Sequence, residues 1–441
     1  MTKKNILILQ ILLLNVCFAQ QYFDTEKLNK YFDALEVNNK FMGSIAVSKN
    51  GEIVYTKTIG FADAENNIKA SENSKYRIGS ISKMFTSALV FLAIEMEKIV
   101  PNQTINKYFP AIINSDKITI NQLLSHRSGI HDFTEDKDYS TWNTKAKTEN
   151  EMIEIIAKAG SDFEPDSKAE YSNSNFILLT YILEKTFNKP YSEIILEYIA
   201  KPIGLNNTSL GGRINTKNSE CNSYSFTGNW EIESETDISI PLGAGGIIST
   251  PTDLVKFSEA LFSEKIITKG SLDKMTTIKD NFGMGLFQIP FYDKTAFGHT
   301  GGIDGFSSVL CYFPDDKVSY ALVSNGANYT SNNISIAVLS AIFSKPYDIP
   351  VFTTFEVSPE DLEKYLGIYS SSQIPLKISI SKQNKSLFAK ATGQAAFLLE
   401  PFEKDKFKYD IAGIEIEFIP NDKKMILKQG GGTYNFTKEE Q

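Results

Sequence analysis

The dipeptide Asn50-Gly51, set between the strand-like runs 44–48 and 53–57, constrains the fold of this chain more than any other feature. Asn-Gly readily adopts the positive φ angles that a two-residue hairpin turn demands, so the two runs should pair as neighbouring antiparallel strands. A long stretch of helical periodicity follows. Two further strand-like runs, 307–313 and 318–325, then appear on either side of the turn Pro314-Asp315-Asp316. Strands at both ends with helices between them predict an α+β domain in which one antiparallel sheet is shared by the two ends. A helix over 23–41 should precede the hairpin, and another over 333–343 should close the domain.

The helical middle begins with Gly79-Ser80-Ile81-Ser82-Lys83 and continues through Met84, Phe85, Ala88, Leu89, Phe91 and Leu92. A helix starting at Ser80 would place Lys83 one turn later on the same face, so the hydroxyl and the amine meet without any long-range contact. Helix-terminal N–H groups would add partial positive charge at that hydroxyl. The same serine-lysine spacing recurs at Ser271/Lys274 and at Ser379/Lys382. Ser271 also follows a glycine, Gly270, but sits in a charged stretch, and Ser379 lies in a strand-like run; only Ser80 joins a preceding glycine to an apolar helix, which makes Ser80 the candidate nucleophile and Lys83 its partner.

Further groups are spread along the chain. Tyr171 and Asn173 stand just before an apolar helix over 176–187, where such side chains either cap the helix or point into a cleft. Phe297-Gly298-His299-Thr300-Gly301-Gly302-Ile303 ends a strand, and its glycines allow backbone N–H groups to approach a ligand as an oxyanion site requires; the alternative is a tight turn beside a histidine. His126 ends a short helix closed by Gly129 and is expected to bond loop backbone rather than a metal. Residues 208–239 are polar and read as a surface loop or lid. The glycine-rich segment 243–253 leads into a helix capped near Thr250 and lacks the lysine-hydroxyl ending of a phosphate loop.

Beyond the proline-bearing connector 346–359, residues 360–441 alternate apolar and polar at short spacing, the pattern of a small antiparallel barrel, with no catalytic group evident. At the other end, residues 1–19 combine Lys3 and Lys4, an apolar run over 6–16 and a small-x-small ending, which reads as a secretory leader. Lipidation at Cys17 ranks second, because Asn15 and Val16 fit a lipoprotein site poorly. Removing the leader with its two lysines takes the net charge from −8 to −10, which argues against nucleic acid as partner. Cys221 and Cys311 would remain, as one bridge or two thiols. Neither count nor spacing points to a metal or cofactor.

Taken in order, Ser80-x-x-Lys83, Tyr171-Ser172-Asn173 and His299-Thr300-Gly301 resemble the penicillin-recognising serine hydrolases of the class C β-lactamase and DD-peptidase branch. The similarity spans about residues 25–345 and includes the segments 123–130 and 245–250. It divides the chain into a leader (1–19), a hydrolase domain (20–345) built of a sheet flanked by helices plus an all-helical region, a linker (346–359) and a small barrel (360–441). The resemblance implies that Ser80 is acylated, that Lys83 takes its proton, and that Tyr171 shuttles a proton to the leaving group. Whether Lys83 or Tyr171 is the immediate base stays open. Asn173, His299, Thr300 and Gly301 would bind substrate, and the N–H groups of Ser80 and Gly302 would form the oxyanion hole. His299 departs from the lysine usual in class C β-lactamases and is more like the DD-peptidases, D-aminopeptidases and esterases of the family. The implied substrate is a peptide ending in a D-residue, with esters and β-lactams as alternatives and cell-envelope peptidoglycan as the implied partner; a penicillin-binding sensor without turnover is the alternative of another class.

Overall fold

The computed structural model describes residues 23–352 and 355–439, so the leader and Cys17 lie outside the described residues. Strands Phe41–Lys49 and Glu52–Ile59 form the expected hairpin, with Asn50 at φ 53° and Gly51 at φ 82°. The first helix is Thr25–Val37, capped by Asp24 accepting from the Lys27 N–H, and is shorter than expected. It stops because Phe41 is already the first residue of the strand, paired with Ala327.

Strand Phe41–Lys49 runs antiparallel to Val318–Ala327, from Phe41 opposite Ala327 to Lys49 opposite Val318, so the two ends of the domain do share one sheet. Beyond Val318–Ala327 come Phe306–Phe313, Lys294–Ile303 and the edge strand Phe287–Phe291. Both faces of this sheet are covered. Ile45, Val47, Tyr320 and Leu322 pack under helices Thr25–Val37 and Ser331–Ile342. The alternate residues Ala46, Leu310, Ala321 and Val323 face the helical region instead. Burial on two faces leaves every residue of Val318–Ala327 but the last buried, its serines and asparagine included.

Helices Ser82–Glu95, Asn173–Phe187 and Pro251–Phe262 form the centre of that helical region. Ser82–Glu95 is buried on almost every side, Lys83 included, which makes it an axle rather than a surface helix. The segment 208–239, expected as a loose loop, is tied down along its length. Ser209–Leu210 pairs with Ile247–Ile248, and Tyr224–Phe226 forms a ribbon with Trp230–Ile232. Arg77, buried to 2% exposure, bonds the carbonyls of Gly212 and Thr236 and the carboxylates of Glu235 and Asp304. The irregular composition of this segment reflects an anchored wall held by polar contacts.

The C-terminal strands, from Gly367–Ser370 to Gly432–Lys438, close an eight-stranded antiparallel barrel through the pairing of Tyr369 with Lys438. Its interior holds Ile378, Ile380, Leu399, Ile416, Phe418, Met425 and Leu427, the alternating set visible in the sequence. Lys40, beside the first strand of the main sheet, reaches the barrel carboxylates Glu400 and Asp410.

Candidate functional site

Ser80 does not begin the α-helix. It sits in one turn of 3-10 helix, Gly79–Ile81, and the α-helix starts at Ser82. The tighter turn is imposed by what packs against it. Gly79 has φ 50°, and a Cβ there would come within 2.7 Å of Gly302 N; a Cβ on Gly301 would lie 2.1 Å from Ile78 O. The glycines of the strand end thus let the turn and the strand touch backbone to backbone, bringing Gly302 N against the Gly79-Ser80 backbone. Lys83 still reaches Ser80, because the turn and the helix are continuous.

Lys83 is fully buried, and its Nζ lies 3.0 Å from Ser80 Oγ, 2.7 Å from Asn173 Oδ1 and 2.7 Å from Ala244 O. Burial pushes its pKa down to about 7, against the opposing pull of Asp132. A neutral amine has two hydrogens and one lone pair. Asn173 Oδ1 and Ala244 O can only accept, so they take the two hydrogens and leave the lone pair for the Ser80 hydroxyl. This is the arrangement a general base requires.

Tyr171 donates from its hydroxyl to Ser80 Oγ at 2.8 Å. Burial holds its pKa far above the ordinary value, so the ring is a phenol and a proton donor. Its ring stacks on His126 at 4.5 Å. His126 Nδ1 accepts from the Ser172 N–H, the loop-backbone bond expected from the sequence, and so fixes the segment carrying Tyr171 and Asn173. Ser172 makes no side-chain cap, and Asn173 is the first helical residue with its side chain in the site.

His299 lies opposite Leu310 in the sheet and therefore faces the helical region, behind Tyr171 at 6.1 Å between rings. It is only 2% exposed. Burial first, and the nearby Lys83 second, push its pKa down to about 3, so it is neutral. Its Nδ1 donates to Thr300 O, while Nε2 has no partner among the described residues.

A cavity of about 470 Å³ opens at Ser80 and is lined by Asn173, Ala244 and Gly302 among others. His299, Thr300 and Gly301 do not line it. Thr300 pairs with Val309, which packs toward the opposite face of the sheet, and its side chain is exposed there. Gly301 is spent on the contact with Ile78. Of the residues expected to bind substrate, Asn173 alone has its side chain in the cavity wall, and its Nδ2 is already committed to Asp132 Oδ2 at 2.9 Å and Thr134 Oγ1 at 3.2 Å.

Three residues of this site were not evident in the sequence: Asp132, Ala244 and Arg77. Asp132 follows the Gly129 turn with no periodic signal, Ala244 contributes only a carbonyl, and Arg77 acts through partners more than one hundred residues away. The competing serine-lysine pairs are not sites. Ser379 and Lys382 lie in a strand, where residues three apart face opposite sides, and Lys382 bonds Glu363. Ser271 is a buried helical residue beside Thr268.

The Penicillin-binding protein 4* of Bacillus subtilis (strain 168) is 24% identical, over 92% of this chain and 96% of that protein. The Teichoic acid D-alanine hydrolase of Staphylococcus aureus (strain MRSA252) is 28% identical over 68% of this chain and 73% of that one. Among solved structures, D-amino acid amidase from Ochrobactrum anthropi SV3, complexed with L-phenylalanine amide, superposes with a TM-score of 0.63 at 25% identity, covering 72% of this chain and 99% of that one. The family model described as Beta-lactamase matches residues 35–341, a span that contains the Ser80-Lys83-Tyr171 arrangement and most of the main sheet. By that match the chain belongs to the Beta-lactamase family and is a serine hydrolase of the penicillin-recognising kind.

Proposed function

We propose that the chain hydrolyses an amide or ester bond on the carbonyl side of a D-configured residue through an acyl-enzyme at Ser80. The carrying observation is the hydrogen-bond assignment around Lys83, which leaves one lone pair aimed at the Ser80 hydroxyl. Lys83 takes the Ser80 proton as Oγ forms a bond to the substrate carbonyl carbon. The resulting oxyanion is held by the N–H groups of Ser80 and Gly302, each contributing about 3–4 kcal/mol by analogy with other oxyanion sites. The bond to the leaving nitrogen or oxygen then breaks, and the proton held by Lys83 returns to that atom through the Tyr171 hydroxyl. Water attacks the acyl-serine with the same groups in reverse order.

This divides the roles of Lys83 and Tyr171. A phenol with a strongly raised pKa is a poor base at neutral pH, whereas an amine near 7 is a good one. The D-configuration is supported by relatives named for D-alanine and D-amino acid chemistry. Efficient turnover of β-lactams, or of peptides with a free C-terminal carboxylate, fits less well, because His299 is neutral and stands behind Tyr171 rather than in the cavity. The DD-carboxypeptidase reading is second and is favoured by the match to Penicillin-binding protein 4* along nearly the whole chain. Export through the leader at 1–19 belongs to the proposal, and N-terminal sequencing of the mature protein tests it.

The decisive experiment is intact-mass detection of an acyl adduct across D-alanyl p-nitroanilide, a p-nitrophenyl ester, a D-Ala-D-Ala peptide and nitrocefin, with the modified residue mapped. An adduct at Ser80, and turnover fastest with the D-alanyl substrate, is expected. Adducts elsewhere, or none in wild type, would refute it.

A further inference from the structure

The cavity at Ser80 has an unbalanced wall. Of its lining side chains only Glu233 and Asp304 carry formal charge, and both are acidic. Asp304 is already satisfied, accepting from Arg77 at 2.7 Å, from Thr236 N at 3.0 Å and from Thr236 Oγ1 at 2.6 Å. Glu233 differs. Its backbone N–H is fixed to Ser223 O at 2.9 Å, and its Cγ lies 3.1 Å from where a Cβ on Gly305 would sit. Its carboxylate nevertheless has no ion pair or hydrogen bond to any described residue.

A carboxylate held on a cavity wall without a partner loses hydration once a substrate fills the cavity, and only a cation or strong donor on that substrate restores the balance. Glu233 is also well placed to be stiff. It directly follows the ribbon Tyr224–Phe226/Trp230–Ile232, and two residues later Glu235 is clamped by Arg77.

Resting on the acyl-enzyme reading above, we propose that Glu233 is a specificity residue that binds the free ammonium group of a D-aminoacyl substrate. The same charge repels substrates that carry a carboxylate near the scissile bond. The preferred substrate class is therefore an amide or ester of a D-amino acid with an unblocked α-amine, rather than an N-acylated peptide or a penicillin.

Glu233→Gln keeps the shape and removes the charge. We expect the ratio of kcat/KM for D-alanyl p-nitroanilide over its N-acetyl analogue to fall about tenfold, the size of one charge-assisted hydrogen bond, mainly through KM. Acylation by benzylpenicillin should become faster in the same variant. A purely structural role would lower all three together, and that result, or an unaltered ratio, would overturn the proposal. Calorimetric binding of D-alaninamide to Ser80→Ala and to Ser80→Ala/Glu233→Gln separates the two levels of argument. Absence of any turnover or adduct in wild type sinks the hydrolase reading, while equal D-alaninamide affinity in the two variants sinks the role of Glu233.

Discussion

Asp132 Oδ2 accepts from Asn173 Nδ2 at 2.9 Å, and this bond turns the amide so that Oδ1 faces Lys83 Nζ at 2.7 Å. Asp132 is itself pinned by accepting from Thr134 N and Oγ1. Its charge also opposes the effect of burial on Lys83. One carboxylate therefore both orients the Asn173 amide toward the Lys83 amine and tunes that amine, with no direct bond to it.

Replacing Asp132 by Asn should lower kcat about ten- to a hundredfold, the cost expected when a base loses its alignment. Removing a negative charge that raises the Lys83 pKa should also move the acid limb of the kcat/KM profile to lower pH. A loss of stability alone would leave that limb where it was, so pH profiles of both proteins distinguish the two causes.

The wild-type profile itself carries a sign. In the proposed mechanism the neutral amine of Lys83 is the base, so kcat/KM should rise with pH and reach half its plateau near the Lys83 pKa of about 7. His126 and His299 are both held neutral well below that range and should add no limb of their own. Lys83→Ala should abolish acyl-adduct formation by mass spectrometry while circular dichroism stays native.

Gly301→Ala places a Cβ 2.1 Å from Ile78 O and 2.4 Å from Ser308 Oγ, the contact that seats the Ser80 turn on the strand. Separating the two should widen the gap between the Ser80 and Gly302 N–H groups proposed to hold the oxyanion. The expected result is a kcat loss of about a hundredfold and a destabilisation of about 1–3 kcal/mol, read by kinetics and by thermal unfolding.

Arg77→Met leaves the carboxylates of Glu235 and Asp304 without their buried counter-charge and frees two carbonyls. The destabilisation should be about 3–5 kcal/mol. Hydrogen exchange should quicken first in residues 230–239, the wall that carries Glu233.

The sequence by itself determined the hairpin at Asn50-Gly51, the shared sheet and the alternating C-terminal barrel, because each rests on a local turn or a short period. It also singled out Ser80 with Lys83, through the apolar run that follows them and the ordered tyrosine and histidine segments further along, since the three-residue spacing alone recurs at two other places. Tertiary structure decided the remainder. The turn at Ser80 is 3-10 because Gly301 and Gly302 press on it from a strand more than two hundred residues away. Thr300 faces away from the cavity because the sheet register pairs it with Val309. Burial lowers the Lys83 pKa toward neutrality, as the proposed base requires, and Asn173 is aimed by Asp132, both properties of packing that no local pattern encodes.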